Sequence, residues 1–157
     1  MHVQITFAPQ LNTMTTFSQL GIHKNYIKGL KELNIVNPTE IQETVIPILL
    51  KSKTDLIGLA QTGTGKTAAF GLPVLHAIDT NNSDVQALII APTRELVQQI
   101  QKQLFRFTKY IDQKIFSEGV YGGEKIDRQI KNLTRTTHIV VATPGRLLDV
   151  VERGAVD

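Results

Sequence analysis

From Phe17 onward the apolar positions follow two alternating rhythms. Ile22, Tyr26, Ile27, Leu30 and Leu33 recur at spacings of three and four, which predicts a helix. Asn37-Pro38-Thr39 breaks it, because Pro lacks a donor and restrains φ, and a second helix is expected beyond with Ile41, Val45, Ile48 and Leu49 inward. Asp55 to Ala60 is an apolar run of strand length; a glycine-rich turn and a helix from about Lys66 to Ile78 follow it. Asn81-Asn82-Ser83-Asp84 reads as a loop. Ala87 to Ala91 is apolar at every position, the pattern of a strand covered on both faces. Pro92-Thr93 opens a helix carrying Leu96, Ile100, Leu104 and Phe107 on one side. Ile115 to Val120 reads as a strand, Glu124 to Leu133 as a polar helix, His138 to Ala142 as a strand and Pro144 to Arg153 as a helix. Residues 1–16 lack periodicity and are expected to form a loose leader before one unit spanning 17–157.

Strands that alternate with helices predict an α/β fold, a parallel sheet with helices on both faces. Ligands of such sheets bind outside the carboxyl ends of the strands. A chain of 157 residues fits one domain, and 41% apolar with 20% charged residues is enough for a real core. No window approaches the length and apolarity of a membrane span. The first sixteen residues contain no Lys or Arg and no apolar core, so no secretory signal is expected. The absence of Cys excludes disulfides, thiolate metal sites and a Cys nucleophile, and makes a reducing cytoplasm the expected compartment. The net charge of +3 is unevenly spread: between Ala91 and Arg146 ten basic residues face five acidic ones. That imbalance suits a polyanionic partner, although solvated helix faces give the same pattern.

Ala60-Gln61-Thr62-Gly63-Thr64-Gly65-Lys66-Thr67 stands after an apolar strand and opens a helix, the context of a phosphate-binding loop. Gly63 and Gly65 allow a tight turn in which successive N–H groups face inward as an anion nest. The helix that follows adds the positive end of its dipole. Lys66 is expected to reach the β and γ phosphates, and the Thr67 hydroxyl to ligate Mg²⁺. The strict pattern of such loops begins with Gly, and here Ala60 holds that place. Thr39 and Gln42 stand at the spacing of a capping box, which needs no ligand, yet a Gln amide can also read a purine edge. Pro92-Thr93-Arg94-Glu95-Leu96, Gly122-Gly123 and Thr143-Pro144-Gly145-Arg146 each lie between a strand and a helix. Such helix starts offer N–H donors to anions, and Arg94 and Arg146 add forks for phosphate. Each is also an ordinary helix start. The four histidines show no metal spacing, and Phe105, Phe107, Tyr110 and Phe116 are expected to pack in or near the core. Thr108-Lys109-Tyr110-Ile111-Asp112 misses the guanine-reading pattern of GTPases by one residue.

Taken together, these segments resemble the DEAD-box RNA helicases, from Phe17 to the last residue and in the family's order. Ala-x-x-Gly-x-Gly-Lys-Thr, with Ala first, is similar to that family's motif I. Pro38 to Gln42 resembles its Q motif, with Phe17 at the isolated upstream aromatic position. Pro-Thr-Arg-Glu-Leu resembles motif Ia, Gly122-Gly123 the GG motif and Thr-Pro-Gly-Arg motif Ib. The resemblance implies a RecA-like lobe that binds ATP and Mg²⁺. In that reading Phe17 stacks on adenine, Gln42 reads its edge, and Ala60, Gln61, Thr62, Gly63, Thr64, Gly65, Lys66 and Thr67 hold the triphosphate. It also implies sequence-independent contacts to an RNA backbone from Thr93, Arg94, Gly122, Gly123, Thr143, Pro144, Gly145 and Arg146. No Asp-Glu-Ala-Asp tetrad occurs in the chain. The family's pattern continues with that tetrad and a second RecA-like lobe, so the chain is expected to be the front of the first lobe. The parent is expected to be a monomer that couples ATP hydrolysis to RNA opening, and the 157 residues alone to turn over no ATP and to self-associate through an uncovered strand edge. A non-catalytic nucleotide- and RNA-binding fragment, or another phosphate-loop enzyme such as a nucleotide kinase or GTPase, are the alternatives.

Overall fold

The computed structural model describes residues 3–4, 15–52 and 54–156. Most of the expected leader, 1–2 and 5–14, lies outside the described residues. The chain divides into two compact units, Met1–Ala77 and Ile78–Asp157.

The first unit holds β1 (Val3–Gln4), α1 (Lys24–Glu32), α2 (Glu40–Lys51), β2 (Leu56–Ile57) and α3 (Lys66–Ala77). β1 pairs parallel with β2, Val3 opposite Leu56 and Gln4 opposite Ile57. α1 begins after His23, whose Nδ1 accepts from the Asn25 N–H at 3.4 Å. It ends in a Schellman motif: Ile35 N–H donates to the Leu30 carbonyl and Asn34 N–H to that of Lys31. Asn34 supplies the left-handed residue this ending requires, with φ of 58°. On α2 the buried residues are Ile41, Gln42, Val45 and Ile46; the expected Leu49 is half-buried and packs against Ile41, Val45 and Ala69, while the expected Ile48 is only half-buried. The periodic pattern is satisfied by either choice; the packing of Ile41 and Val45 against Ala69 of α3 selects the rotation of the helix. β2 keeps two residues of the six expected for a strand.

The second unit holds β3 (Ala87–Ile90), α4 (Arg94–Phe107), β4 (Ser117–Val120), α5 (Ile126–Leu133), β5 (Ile139–Ala142) and α6 (Pro144–Glu152). Its strands form a parallel sheet in the order β3-β5-β4, so β5 is central. All four residues of β5 are fully buried, as a strand covered on both faces should be. β3 departs from that expectation: Leu88 is 50% and Ile90 57% exposed. Equal apolar runs do not distinguish a central strand from an edge strand; the crossover order does. α4 turns Val97, Ile100, Leu104 and Phe107 inward, Val97 taking the place expected for Leu96. Val120, Val140, Ala142, Leu133 and Val150 form the core beneath α5 and α6. Phe107 packs as expected, but Phe105 is 74% and Phe116 47% exposed. Buried His138 accepts the Phe116 N–H at Nδ1 over 3.0 Å, a structural role.

Candidate nucleotide and nucleic-acid sites

In the first unit, the loop between β2 and α3 turns through Gly63 and Gly65 with φ of 81° and 84°, values that L side chains adopt only under strain. Lys66, the first residue of α3, does not point at solvent. Its Nζ donates to the carbonyls of Ala60, at 2.6 Å, and Gln61, at 2.5 Å. The ammonium is thus held against the carbonyls of its own loop. Thr67 stands one residue further, half-buried in the first turn. Thr64 Oγ1 donates to the Gln61 carbonyl at 2.8 Å, closing the turn from within.

The Gln42 side chain lies against this loop. It is 1% exposed; its Oε1 accepts the Thr39 N–H at 3.0 Å and its Nε2 donates to the Gly65 carbonyl at 3.0 Å. Thr39 Oγ1 reaches the neighbouring Thr64 carbonyl at 2.8 Å. The capping reading is the one the structure shows: the amide closes the start of α2 and ties it to the glycine loop, with both of its ends on protein partners. Phe17 is 2% exposed, so its ring belongs to the interior and stacking on a base requires it to turn outward. Among the described residues no three His, Cys, Asp or Glu side chains gather into a metal cluster.

In the second unit the three strand-end segments share one edge of the sheet. Ile90, Ala142 and Val120 are Cα partners across β3, β5 and β4, so the segments that follow them start level with one another. At about 4.8 Å between strands, the outer two starts are roughly 10 Å apart. Thr93 caps α4, its Oγ1 accepting the Leu96 N–H at 3.2 Å. Thr143 stands at the N-cap of α6 without a side-chain cap bond, followed by Pro144 at the first turn and by Gly145, which is exposed. The turn of Gly122 and Gly123 is exposed too. Gly123 has φ of 90°, and a Cβ there would lie 2.7 Å from Nη1 of Arg94. The Arg94 guanidinium also sits 5.3 Å from the centre of the Tyr121 ring. Arg146 reaches the same turn from α6, its Nη1 donating to the Glu124 carbonyl at 3.0 Å. Both arginines thus converge on one glycine turn.

Four residues of this second site carry no sequence signal of their own: Gln98, Tyr121, Glu124 and Gln129. Gln98 donates to the Tyr121 hydroxyl at 3.0 Å, and that hydroxyl donates to Glu124 at 3.4 Å. Gln129 donates to the Tyr121 carbonyl at 2.9 Å and accepts from Arg146 at 3.0 Å. A Gln in a polar helix reads as a solvated side chain, and only its 2% exposure reveals otherwise.

The chain is similar in sequence and fold to known proteins. The sequence profile of the DEAD/DEAH box helicases matches residues 39–157. Over 140 residues the chain is 49% identical to the ATP-dependent RNA helicase CshA of Listeria monocytogenes, covering 89% of this chain and 26% of that protein. It is 50% identical over 139 residues to the DEAD-box ATP-dependent RNA helicase CshA of Streptococcus pneumoniae serotype 4, covering 88% of this chain and again 26% of the relative. A DEAD box protein from the hyperthermophile Methanococcus jannaschii superposes with a TM-score of 0.84 at 34% identity, over 90% of this chain and 38% of that one. Saccharomyces cerevisiae Dbp5 bound to RNA and ADP BeF3 superposes with a TM-score of 0.80 at 31% identity, over 90% of this chain and 35% of that one. Profile, relatives and fold agree with the motifs on one answer: the chain belongs to the DEAD/DEAH box helicase family.

Proposed function

We propose that the chain is the nucleotide- and RNA-backbone-binding part of an ATP-dependent RNA helicase, which couples ATP hydrolysis to local opening of RNA duplexes. The observation that supports it best is the level start of three anion-binding segments along one sheet edge, with Arg94 and Arg146 both on the Gly122-Gly123 turn. Backbone N–H groups, helix N-termini and guanidinium forks are donors without base preference, so they suit phosphates rather than base edges. Thr93, Thr143, Pro144 and Gly145 place the helix starts, and Gly122 and Gly123 bring the backbone close.

In the same reading the first unit takes the nucleotide. Residues 60–67 wrap the phosphates, Lys66 leaves the loop carbonyls for the β and γ oxygens, and Thr67 offers its hydroxyl to Mg²⁺. Such an ion is held by phosphate oxygens, waters and one or two carboxylates, so the Thr67 hydroxyl supplies one donor and not the whole protein share. Gln42 reads adenine by exchanging its present partners for the base, and Phe17 joins it by turning out of the interior.

The experiment is a pair of titrations on the purified chain. ADP and GDP compete for the first site, and fluorescent uridine and adenosine oligonucleotides titrate the second. The reading expects adenine nucleotides to win and the two RNAs to bind equally. Equal binding of GDP, or a marked preference between the RNAs, overturns it.

A further inference from the structure

We infer that Gln129 is a positioning residue for the RNA edge: its amide joins the Gly122-Gly123 turn to Arg146, so that turn and arginine meet a phosphate as one preformed unit. The inference rests on the proposal that this edge binds an RNA backbone.

Gln129 sits on α5, a helix with only one other fully buried residue, Leu133. Burying an amide is unfavourable unless both of its ends find partners, and here both do. Its Nε2 donates to the Tyr121 carbonyl at 2.9 Å, and its Oε1 accepts from Nη1 of Arg146 at 3.0 Å. The partners fix the orientation of the amide, since a carbonyl can only accept and a guanidinium can only donate. Nη1 of Arg146 also donates to the Glu124 carbonyl at 3.0 Å. The two carbonyls that flank the glycine pair are therefore tied to one another through Gln129 and Arg146, while the glycines themselves stay exposed.

This tie bears on binding. Gly122 and Gly123 are the least restrained residues a chain can carry, and ordering them on contact with RNA opposes association. Holding both ends of the turn removes much of that opposition beforehand. The tie also withdraws the Arg146 side chain, which is 15% exposed, and its Nε lies 3.7 Å from Asp149. The described hydrogen bonds of the guanidinium run from Nη1 and its ion pair from Nε, and the inference assigns the phosphate contact to Nη2. Gln129 touches no ligand in this arrangement. It acts through Arg146 and through the turn.

The test compares Gln129→Met, which keeps volume and removes the amide, with Arg146→Gln, in the whole chain. RNA affinity is read by anisotropy of a labelled uridine oligonucleotide across a salt series, and ADP affinity serves as the control for the other unit. Gln129→Met should weaken RNA binding roughly tenfold with its salt slope and ADP affinity unchanged. Arg146→Gln should weaken binding and also lower the slope by about 0.7, the share of one phosphate on a single strand. The double variant should lose less than the product of the two single losses. If Arg146→Gln weakens binding and lowers the slope while Gln129→Met binds as the unmutated chain does, positioning is overturned and the RNA edge stands. If Arg146→Gln changes neither, the RNA edge itself is wrong and the inference falls with it. Full additivity in the double variant also overturns positioning. Should Gln129→Met not fold, backbone ¹⁵N relaxation in the unmutated chain decides: the Gly122 and Gly123 order parameters should already be high before RNA is added, and low values that only RNA raises overturn the inference.

Discussion

Gly63 and Gly65 share a loop, a left-handed conformation and an expected role, yet they are not equivalent. An Ala at either position meets the backbone penalty of positive φ, about 1–2 kcal/mol. At Gly63 nothing lies within 4 Å of a Cβ, whereas at Gly65 the Cβ would stand 2.3 Å from Nε2 of Gln42. Gly65→Ala must therefore also expel a side chain that is 1% exposed and bonded at both ends. Gly65→Ala is predicted to destabilise the chain more than Gly63→Ala in urea denaturation, with Gln42→Ala relieving part of the difference. Equal midpoints for the two glycine variants would falsify the contact. Lys66 teaches a related lesson. Its bonds to the Ala60 and Gln61 carbonyls mean that Lys66→Ala removes a tie of the loop as well as the proposed phosphate ligand. Triphosphate affinity should fall further than adenosine affinity, and loop amides should exchange faster, both readable by calorimetry and hydrogen exchange.

Among the elements, α1 and α3 meet at a histidine. His76 Nε2 accepts the His23 N–H at 3.3 Å, and its ring lies 4.7 Å from that of Tyr26, whose hydroxyl donates to the Leu75 carbonyl. Burial, and then the neighbouring His23, hold the His76 pKa below its ordinary value. A protonated ring cannot accept the His23 N–H, so the neutral form is the one this packing suits. The folded state then binds fewer protons than the unfolded state below about pH 6.5, and stability falls as pH drops from there until the lowered folded pKa is passed. Melting curves of the chain between pH 7.5 and 5 should show this loss, and His76→Gln should flatten it; an unchanged slope in that variant refutes the assignment. β3 supplies the other element-scale expectation. It is an edge strand of its sheet, with Leu88 and Ile90 half exposed or more. Such an edge templates association, so light scattering of the 157-residue polypeptide should rise with concentration, and Leu88→Lys with Ile90→Lys should suppress the rise. Concentration-independent monomers without those changes would contradict it.

For the whole molecule, binding and turnover separate. In-line attack on a γ-phosphate needs a residue that orients water and a metal held from more than one side. The loop offers Lys66 and Thr67, and the chain holds no Asp-Glu-Ala-Asp tetrad. A polypeptide of these residues is therefore predicted to bind ATP without releasing phosphate, with or without RNA; RNA-stimulated phosphate release from it would sink the prediction. The chain spans 26% of the two CshA helicases compared, and no described helix is long and apolar enough to cross a membrane.

By itself the sequence determined what is local. Apolar rhythm located ten of the elements to within a few residues, because burial of one face imposes its period on any helix or strand. The phosphate loop, the capping pair and the three strand-end segments were legible because each needs particular residue types at fixed spacing. Tertiary structure alone decided what depends on distant partners. β3 and β5 are equally apolar in sequence, and only the strand order makes one an edge and the other the centre. Ile46 is fully buried and Ile48 only half-buried, a choice that the helical period leaves open and packing decides. Gln129 gave no local sign, since its partners lie eight and seventeen residues away. A hydrogen bond between such positions has no period and no propensity, so it exists only once the backbone has brought donor and acceptor together.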